Sequence, residues 1–387
     1  MDITSLKNTF CSLFGEGGEL FAYASPGRVN LIGEHTDYNG GVVLPAAITL
    51  GTTIIARKRS DNKICLRATD LPDYVEADLS CLSAYKNIPW GNYQLGVADI
   101  LLKDGVPVSG CDLLFHDTTP HGGGLSSSAG IEVATALCLY HMATGKMPDM
   151  REIAKVGQRA EIEYVGVNCG IMDQFASAMG KENHAIFLCC KDLSYEAVPL
   201  FLGEYRIVIT NTNKKRSLIT SKYNERRGEC EKALGDLQTA MPSLSCLGDL
   251  SPEEFEKNVH LIKDATCARR ARHVVEECAR VKESVNVLKS GDLASFGKLM
   301  NDSHDSLRDL YEVTGEELDT LVNAARMESG CIGSRMTGAG FGGCTVSLVK
   351  GDSVDAFTEN VSRIYTEKIG YAPSFYITSA GDGGRIL

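Results

Sequence analysis

Several features that mark specialised protein classes are missing from this chain of 387 residues. No stretch approaches the roughly 20 apolar residues that a membrane-spanning helix needs. We see no internal repeat of about 20–50 residues and no low-complexity linker. The 14 cysteines contain no C-x-x-C pair, a scatter that argues against a zinc site or a disulfide framework. The sequence therefore predicts a globular protein whose thiols are reduced and buried.

A targeting signal and a strong positive charge are missing as well. The first residues, MDITSLKNTFCSLF, lack the basic segment and long apolar stretch of a secretory signal, so we expect a cytoplasmic protein. The 39 basic and 50 acidic residues give a net charge of −11, which argues against a nucleic acid or an anionic membrane as a partner. Small anionic ligands stay compatible with a local basic pocket. We expect a monomer, with a dimer as the open alternative.

Length and periodicity indicate two domains that mix helices and strands. A chain of this size exceeds what one hydrophobic core usually organises. Short β-rich runs predict strands at residues 21–25, 52–57, 185–190, 205–212, 344–350 and 374–378. Apolar spacing of three or four predicts helices over 153–164, 252–290 and 315–328. We place the domain boundary near residue 200, after the Val198-Pro199 step, which divides the chain into 1–200 and 201–387.

The segment PHGGGLSSSA at 120–129 carries the strongest chemical signal. Glycines let backbone N–H groups approach an anion closely, and the serines can cap a helix that continues through Ile131 and Leu137. A glycine loop that runs into a helix N-terminus favours phosphate, and a serine hydroxyl there can bind Mg²⁺. The alternative is a flexible turn before an N-capped helix.

Two other glycine patterns resemble nucleotide-binding motifs without meeting their requirements. Residues 338–343 match G-x-G-x-x-G, but a predicted strand follows where the dinucleotide motif needs a helix. Residues 291–298 resemble a P-loop, yet Leu299 stands where the motif needs Ser or Thr. We interpret the second pattern as a turn and a helix, and we do not expect a nicotinamide site.

Two further segments bring acidic side chains next to glycine turns. In PGRVNLIGEHTDYNGG at 26–41, Glu34 and Asp37 could accept bonds from sugar hydroxyls while His35 adds a switchable donor; a self-bonded surface loop is the alternative. In NCGIMDQF at 168–175, Asp173 could accept the proton of a hydroxyl that is being phosphorylated, or it could simply cap a helix. Glu161 on the preceding helix suits a magnesium ligand.

Taken together, these segments closely resemble the galactokinase family of the GHMP small-molecule kinase superfamily. The family's three motifs correspond to residues 26–41, to GGGLSSSAG at 122–130 and to GSRMTGAGFGGC at 333–344. Further likeness lies at 168–175, 211–231 and 303–314 and extends from about residue 20 to the C-terminus. Ala129-Gly130 in place of the usual Ala-Ser, and Gly123 itself, are small departures that remove no ligand.

The resemblance implies ATP-dependent phosphorylation of α-D-galactose on its 1-hydroxyl, with Mg²⁺ as cofactor. It implies that Asp173 is the catalytic base and that Arg28 neutralises charge at the reacting oxygens. The other implied residues are Glu34, His35, Thr36, Asp37, Gly170 and Tyr223 for the sugar, Gly122, Gly123, Gly124, Leu125, Ser126, Ser127, Ser128, Thr69 and Trp90 for ATP, and Ser128 and Glu161 for the metal.

The implied fold is α+β with two domains and the active site in the cleft between them. The N-terminal domain is expected to be like ribosomal protein S5, and the C-terminal domain to be ferredoxin-like. A kinase for N-acetylgalactosamine, arabinose or galacturonate stays open, because the first motif reads hydroxyls that these sugars partly share. A sugar sensor without turnover is the alternative from another class.

Replacing Asp37 by alanine tests the sugar-binding assignment. If Asp37 accepts bonds from sugar hydroxyls, Asp37→Ala raises the KM for the sugar far more than the KM for ATP. Steady-state kinetics with each substrate varied in turn provide the measurement. An equal rise in both KM values would remove Asp37 from the sugar pocket.

Overall fold

The computed structural model describes residues 2–88, 90–120, 124–214 and 219–387. The elements of the first half are, in chain order, α1 (Ile3–Phe14), β1 (Phe21–Asn30), β2 (Val42–Val43), β3 (Pro45–Lys58), β4 (Lys63–Ala68), β5 (Val75–Asp78), α2 (Asn92–Lys103), β6 (Cys111–Asp117), α3 (Ser127–Thr144), α4 (Met150–Arg159), α5 (Met172–Met179), β7 (His184–Cys189) and β8 (Tyr195–Pro199).

The second half is richer in helix. Its elements are β9 (Tyr205–Asn211), α6 (Ile219–Gln238), α7 (Pro252–Asn258), α8 (Ala265–Lys289), α9 (Leu293–Ser306), α10 (Glu316–Met327), β10 (Cys331–Thr337), β11 (Cys344–Lys350), α11 (Val354–Ile369), β12 (Ser374–Thr378) and β13 (Arg385–Ile386). Within the described ranges, no helix is both long and apolar enough to cross a membrane.

A six-stranded sheet organises the N-terminal half, in the order β13-β1-β3-β6-β4-β5. Successive side chains on a strand point to opposite faces, and β3 shows the result. Ile54 and Ala56 pack into the core cluster that also holds residues of α2 to α5. Ile55, between them, packs with Phe10 of α1 on the other face. The sheet is therefore covered on both sides.

Helix α3 lies at the centre of this half, against β1, β3 and the helices α2, α4 and α5. Ten consecutive residues of the helix are half-buried or fully buried from Gly130 to Leu139, as expected for a helix enclosed by neighbours. Its first residues, Ser127 and Ser128, line a cavity. The burial of the helix body thus fixes where its N-terminus lies.

A four-stranded antiparallel sheet organises the C-terminal half, in the order β10-β11-β9-β12. On β9, Val208 packs with side chains of α10 and α11. Its neighbours Ile207 and Ile209 pack with Val281 of α8 and Phe296 of α9 on the opposite face. This half is a sheet with helices on both faces, and the fold as a whole is the expected two-domain α+β fold.

The two halves share part of their core. One cluster joins Val29 and Leu31 of the first half with Ile209 and Val346 of the second. In addition, β13 at the C-terminus pairs with β1 in the N-terminal sheet. Residue 200 separates the strands of the two larger sheets in sequence except for β13, and the boundary assigned there stays a prediction.

Most of the predicted elements are confirmed, with differences at helix ends. All six predicted strands form, and residues 338–343 connect β10 to β11, so that a strand stands on both sides of this glycine pattern. The predicted helix over 252–290 is two helices, because Asp264 caps a new start for α8. The predicted helix over 153–164 continues beyond α4 as a π-helical turn, Ala160–Val165.

Two helical glycines with different surroundings test the packing between α9 and β10. A Cβ on Gly297 would lie 2.1 Å from the carbonyl oxygen of Ile332, whereas a Cβ on Gly235 in α6 meets nothing within 4 Å. Gly297→Ala should destabilise the protein by about 1–3 kcal/mol through overpacking. Gly235→Ala should stabilise it by about 0.5–1 kcal/mol because alanine favours the helix. Urea unfolding measures both, and changes of the same sign would contradict the packing described here.

Candidate active site

A β-bulge aims Arg28 across the end of the N-terminal sheet. The pairing of β1 with β3 shifts register between Pro26 and Arg28, and bulges often redirect a side chain in this way. The backbone N–H of Arg28 donates to the carbonyl of Leu125 (3.1 Å), and its Nη1 donates to the carbonyl of Gly124 (2.8 Å). Arg28 thus holds the end of the glycine loop against β1.

Asp173 pairs with Arg28 through two parallel hydrogen bonds. Nε donates to Oδ1 (2.8 Å) and Nη2 donates to Oδ2 (2.9 Å), and the hydroxyl of Ser126 also donates to Oδ2. The Arg28 side chain is 5% exposed and that of Asp173 is 32% exposed. The helix-cap interpretation of Asp173 is wrong, because Ile171 occupies the N-cap of α5. The carboxylate instead lies at the surface of the cavity.

The turn that follows β1 brings aromatic side chains around His35. His35 adopts a left-handed backbone conformation (φ 63°), which is uncommon for residues other than glycine. Its Nδ1 lies 2.8 Å from the hydroxyl of Tyr38, and its ring lies 5.8 Å from that of Tyr223. Burial, and then the nearby His273, lower the pKa of His35 to about 3. The prediction that His35 is a hydrogen-bond donor whose charge switches with pH is therefore wrong, because its imidazole stays neutral at physiological pH.

Asp37 lies against a glycine backbone. A Cβ on Gly170 would stand 1.8 Å from Oδ2 of Asp37, so only glycine lets the two segments meet. Burial, and then the negative charge of Asp173, raise the pKa of Asp37 to about 6. The carboxylate thus occupies a site where hydroxyl donors would stabilise its charged form.

Glu34 is fully buried and held by groups from the C-terminal half. Its carboxylate forms an ion pair with Arg335. Its Oε1 accepts bonds from the hydroxyl of Thr337 (3.1 Å) and the backbone N–H of Gly338 (3.0 Å). The position of Glu34 therefore depends on β10 and the loop that follows it.

A second group of carboxylates lies beside Asp173, bridged by a glutamine. The amide nitrogen of Gln174 donates to Glu132 (2.9 Å) and to Glu161 (2.8 Å). Burial, and then the charge of Asp173, raise the pKa of Glu161 to about 7. Burial and the charge of Glu161 raise the pKa of Glu132 as well. Three carboxyl groups are thus crowded into this corner of the site, although among the described residues no group of three or more His, Cys, Asp or Glu side chains is arranged to hold a metal ion by itself.

One cavity of about 610 Å³ brings most of the predicted residues together, with walls from both halves of the chain. Drug-sized ligands bind in pockets of roughly 300–1,000 Å³. The predicted residues that line the cavity are Arg28, Glu34, His35, Asp37, Trp90, Gly124, Ser126, Ser127, Ser128, Glu161, Gly170, Asp173 and Tyr223.

Three predicted residues are not part of the cavity wall as the structure describes it. The hydroxyl of Thr36 is within bonding distance of the carbonyls of Gly33 and Val42 inside the turn. Leu125 is buried in the shared core. The hydroxyl of Thr69 pairs with His116 (2.8 Å). Gly122 and Gly123 lie outside the described residues.

Sequence reasoning missed several residues that shape the site. Gly338 and Ala339 line the cavity, Arg335 pairs with Glu34, and Gln174 bridges two carboxylates. One signal was available, because Glu132 follows Ser128 by four residues on α3 and residues at that spacing share a helix face.

Three family models match successive parts of the chain. The galactokinase galactose-binding signature matches residues 8–58. The GHMP kinase N-terminal domain matches residues 92–181, and the GHMP kinase C-terminal domain matches residues 284–367. These matches include the turn at residues 30–41, named the sugar turn below, the glycine loop at 122–128, named the phosphate loop below, with α5, and the third motif at 333–344.

Relatives and solved structures agree with the family models. The chain is 52% identical to a galactokinase of Clostridium acetobutylicum, with coverage of 100% of this chain and 99% of the relative. It is 49% identical to a galactokinase of Clostridium tetani, covering 99% and 97%. The crystal structure of Lactococcus lactis galactokinase complexed with galactose covers 100% of both chains at 44% identity, with a TM-score of 0.94. Methanococcus jannaschii mevalonate kinase, 21% identical with a TM-score of 0.66 over 95% of this chain and 99% of that chain, shares the fold.

The raised pKa of Asp37 predicts a pH-dependent gain in stability for Asp37→Asn in the free protein. A folded-state pKa of about 6, above the ordinary value of about 3.9, means that ionising Asp37 costs stability as the pH rises through this window. The variant should match the wild type near pH 4 and gain about 2 kcal/mol by pH 7.5, a figure reduced for partial exposure at the cavity. Urea unfolding at a series of pH values measures the gain. A gain that is equal at every pH would contradict the pKa assignment.

Proposed function

Because the chain belongs to the galactokinase family of GHMP kinases and is thus an ATP-dependent sugar kinase, we propose that this cavity binds galactose and ATP side by side. The proposed reaction transfers the γ-phosphoryl group of ATP to the 1-hydroxyl of α-D-galactose, giving α-D-galactose 1-phosphate and ADP. The cleft between the two halves is then the active site.

One observation carries the assignment of roles. The paired side chains of Arg28 and Asp173 lie in a cavity wall that also contains the phosphate loop and the sugar turn. The loop offers Gly124 and the serines at the start of α3, where backbone N–H groups and the helix dipole favour phosphate. The sugar turn offers Asp37. A hydroxyl and a phosphate bound to these two surfaces would meet near the pair.

In the proposed mechanism, Asp173 orients the sugar hydroxyl and takes its proton. A bond forms between the sugar oxygen and the γ-phosphorus, the bond to the β–γ bridging oxygen breaks, and ADP leaves. The transition state of phosphoryl transfer is loose, so a weak base suffices when positioning and charge neutralisation are good. Arg28 supplies positive charge near the reacting oxygens. Its two parallel hydrogen bonds to Asp173 fix the orientation of the carboxylate.

We propose Ser128 and Glu161 as the residues that hold Mg²⁺ together with the phosphates. Both line the cavity, and a hydroxyl with a carboxylate is a hard oxygen donor set of the kind that magnesium prefers. The raised pKa of Glu161 marks a place where a cation would offset crowded negative charge. When bound, the ion supplies positive charge to the phosphate oxygens.

The remaining assignments rest on the same family membership. Trp90 lines the cavity and is proposed to lie near the adenine, and His35 and Tyr223 are proposed to form the apolar wall of the sugar pocket. Galactose is favoured over N-acetylgalactosamine, arabinose and galacturonate by the likeness to galactokinases, and an ADP-release assay across the four sugars tests the choice. A monomer in the cytoplasm is the proposed state.

Replacing Asp173 by asparagine tests the catalytic assignment and the sensor alternative together. Asp173→Asn keeps the shape of the side chain but cannot take a proton, so kcat should fall about 10²–10⁴-fold. Galactose and ATP should still bind, which calorimetry measures. Asp192→Asn, a change at an exposed carboxylate between β7 and β8, is the matched control and should leave kcat unchanged. Near-normal turnover of Asp173→Asn would overturn the role of Asp173, and a wild type without turnover would favour a sensor.

A further inference from the structure

The third motif, residues 333–344, contains a buried arginine for which the proposed mechanism has no use. Arg335 on β10 is fully buried. Its guanidinium forms an ion pair with the carboxylate of Glu34, and its Nη1 donates to the carbonyl of Asn30 (3.1 Å). A buried charge is costly unless it is paired and hydrogen-bonded. Because Arg335 must keep its partners Glu34 and Asn30, it helps to fix the position of the segment 30–34.

A second buried charge holds the same segment from α8. Glu277 accepts a bond from the backbone N–H of Gly33 (2.9 Å) and lies 3.9 Å from Arg335. Although burial opposes ionisation, Arg280, His273 and Arg335 lower the pKa of Glu277 to about 2. Glu277 is thus a permanent negative charge that holds the sugar turn through the backbone N–H of Gly33.

The sugar turn is consequently held by side chains of the C-terminal half along most of its first residues. Besides the bonds to Asn30 and Gly33, the carbonyl of Glu34 lies 3.2 Å from Nε2 of His273. The hydroxyl of Thr337 is within donating distance of the carbonyl oxygen of Asn30 (3.1 Å) and of Oε1 of Glu34 (3.1 Å). A change in β10 or α8 would therefore move Glu34 within the cavity wall.

We propose that Arg335 is a positioning residue for sugar binding, which fixes the Glu34 carboxylate and the turn behind it in the orientation that receives the sugar hydroxyls. Arg335 is not among the described residues that line the cavity, so it acts through Glu34 and Asn30. The inference rests on the proposed sugar site. It gives the third motif a role in sugar recognition.

The test compares substitutions of two ion-paired arginines, the buried Arg335 and Arg57, whose side chain is 13% exposed. Arg335→Gln removes the charge that holds Glu34, and it should raise the galactose KM about tenfold or more, since small misplacements weaken precise contacts strongly. The ATP KM should stay within about twofold, because the loop contacts of Arg28 are unchanged. Arg335→Lys should restore part of the galactose affinity. Arg57→Gln, which breaks the pairing with Asp112 in the N-terminal sheet, is the control and should change neither KM.

Direct galactose binding, measured by calorimetry without ATP, separates this inference from the proposed function. A wild type that binds galactose but does not phosphorylate it would overturn the proposed function and leave the binding comparison valid. Galactose affinity in folded Arg335→Gln equal to that of the wild type, or an equal rise in both KM values, would overturn the inference.

A milder variant keeps the test decisive if Arg335→Gln does not fold. Thr337→Val removes one hydroxyl donor to Glu34 while nearly conserving volume, and it should weaken galactose binding about fivefold, as expected for one lost hydrogen bond. Unchanged galactose binding in both Thr337→Val and Arg335→Lys would equally overturn the inference.

Discussion

The double hydrogen bond between Arg28 and Asp173 is the interaction on which the arrangement of the site depends. Arg28 comes from a bulge in β1, Asp173 from the first turn of α5, and the same guanidinium holds the carbonyl of Gly124. A guanidinium that is 5% exposed needs these partners, because removing one leaves a buried charge unpaired. Strand, helix and phosphate loop are therefore fixed relative to one another by a single side chain.

Negative charge is concentrated around this pair. Asp37 and Glu161 have raised pKa values because burial and the charge of Asp173 oppose their ionisation. Such crowding weakens the free protein at neutral pH. It also creates acceptors that hydroxyl donors and cations stabilise. Stability in the free state and affinity for ligands thus oppose each other in this cavity, as they often do at functional sites.

The two halves of the chain contribute differently to the cavity. The N-terminal half provides the bulge, the phosphate loop and α5, while the C-terminal half supports the sugar turn through Arg335 and Glu277. The shared core and the pairing of β13 with β1 fix the position of the two halves relative to each other. A precise position for Glu34 consequently requires both halves of the chain, although Glu34 belongs to the first 40 residues.

The sequence by itself determined the local features: six strands, the helix that begins after the glycine loop, and the motifs that assign the chain to its family. These follow from periodicity and from conformational demands within a few residues. Only the tertiary structure decided that Thr36 and Thr69 bond away from the cavity, that His35 is neutral, and that Arg335 supports Glu34 across about 300 residues of chain. The protonation state of a side chain and its hydrogen-bonding partners depend on burial and on which distant segments meet. The local spacing of residues in the sequence determines neither.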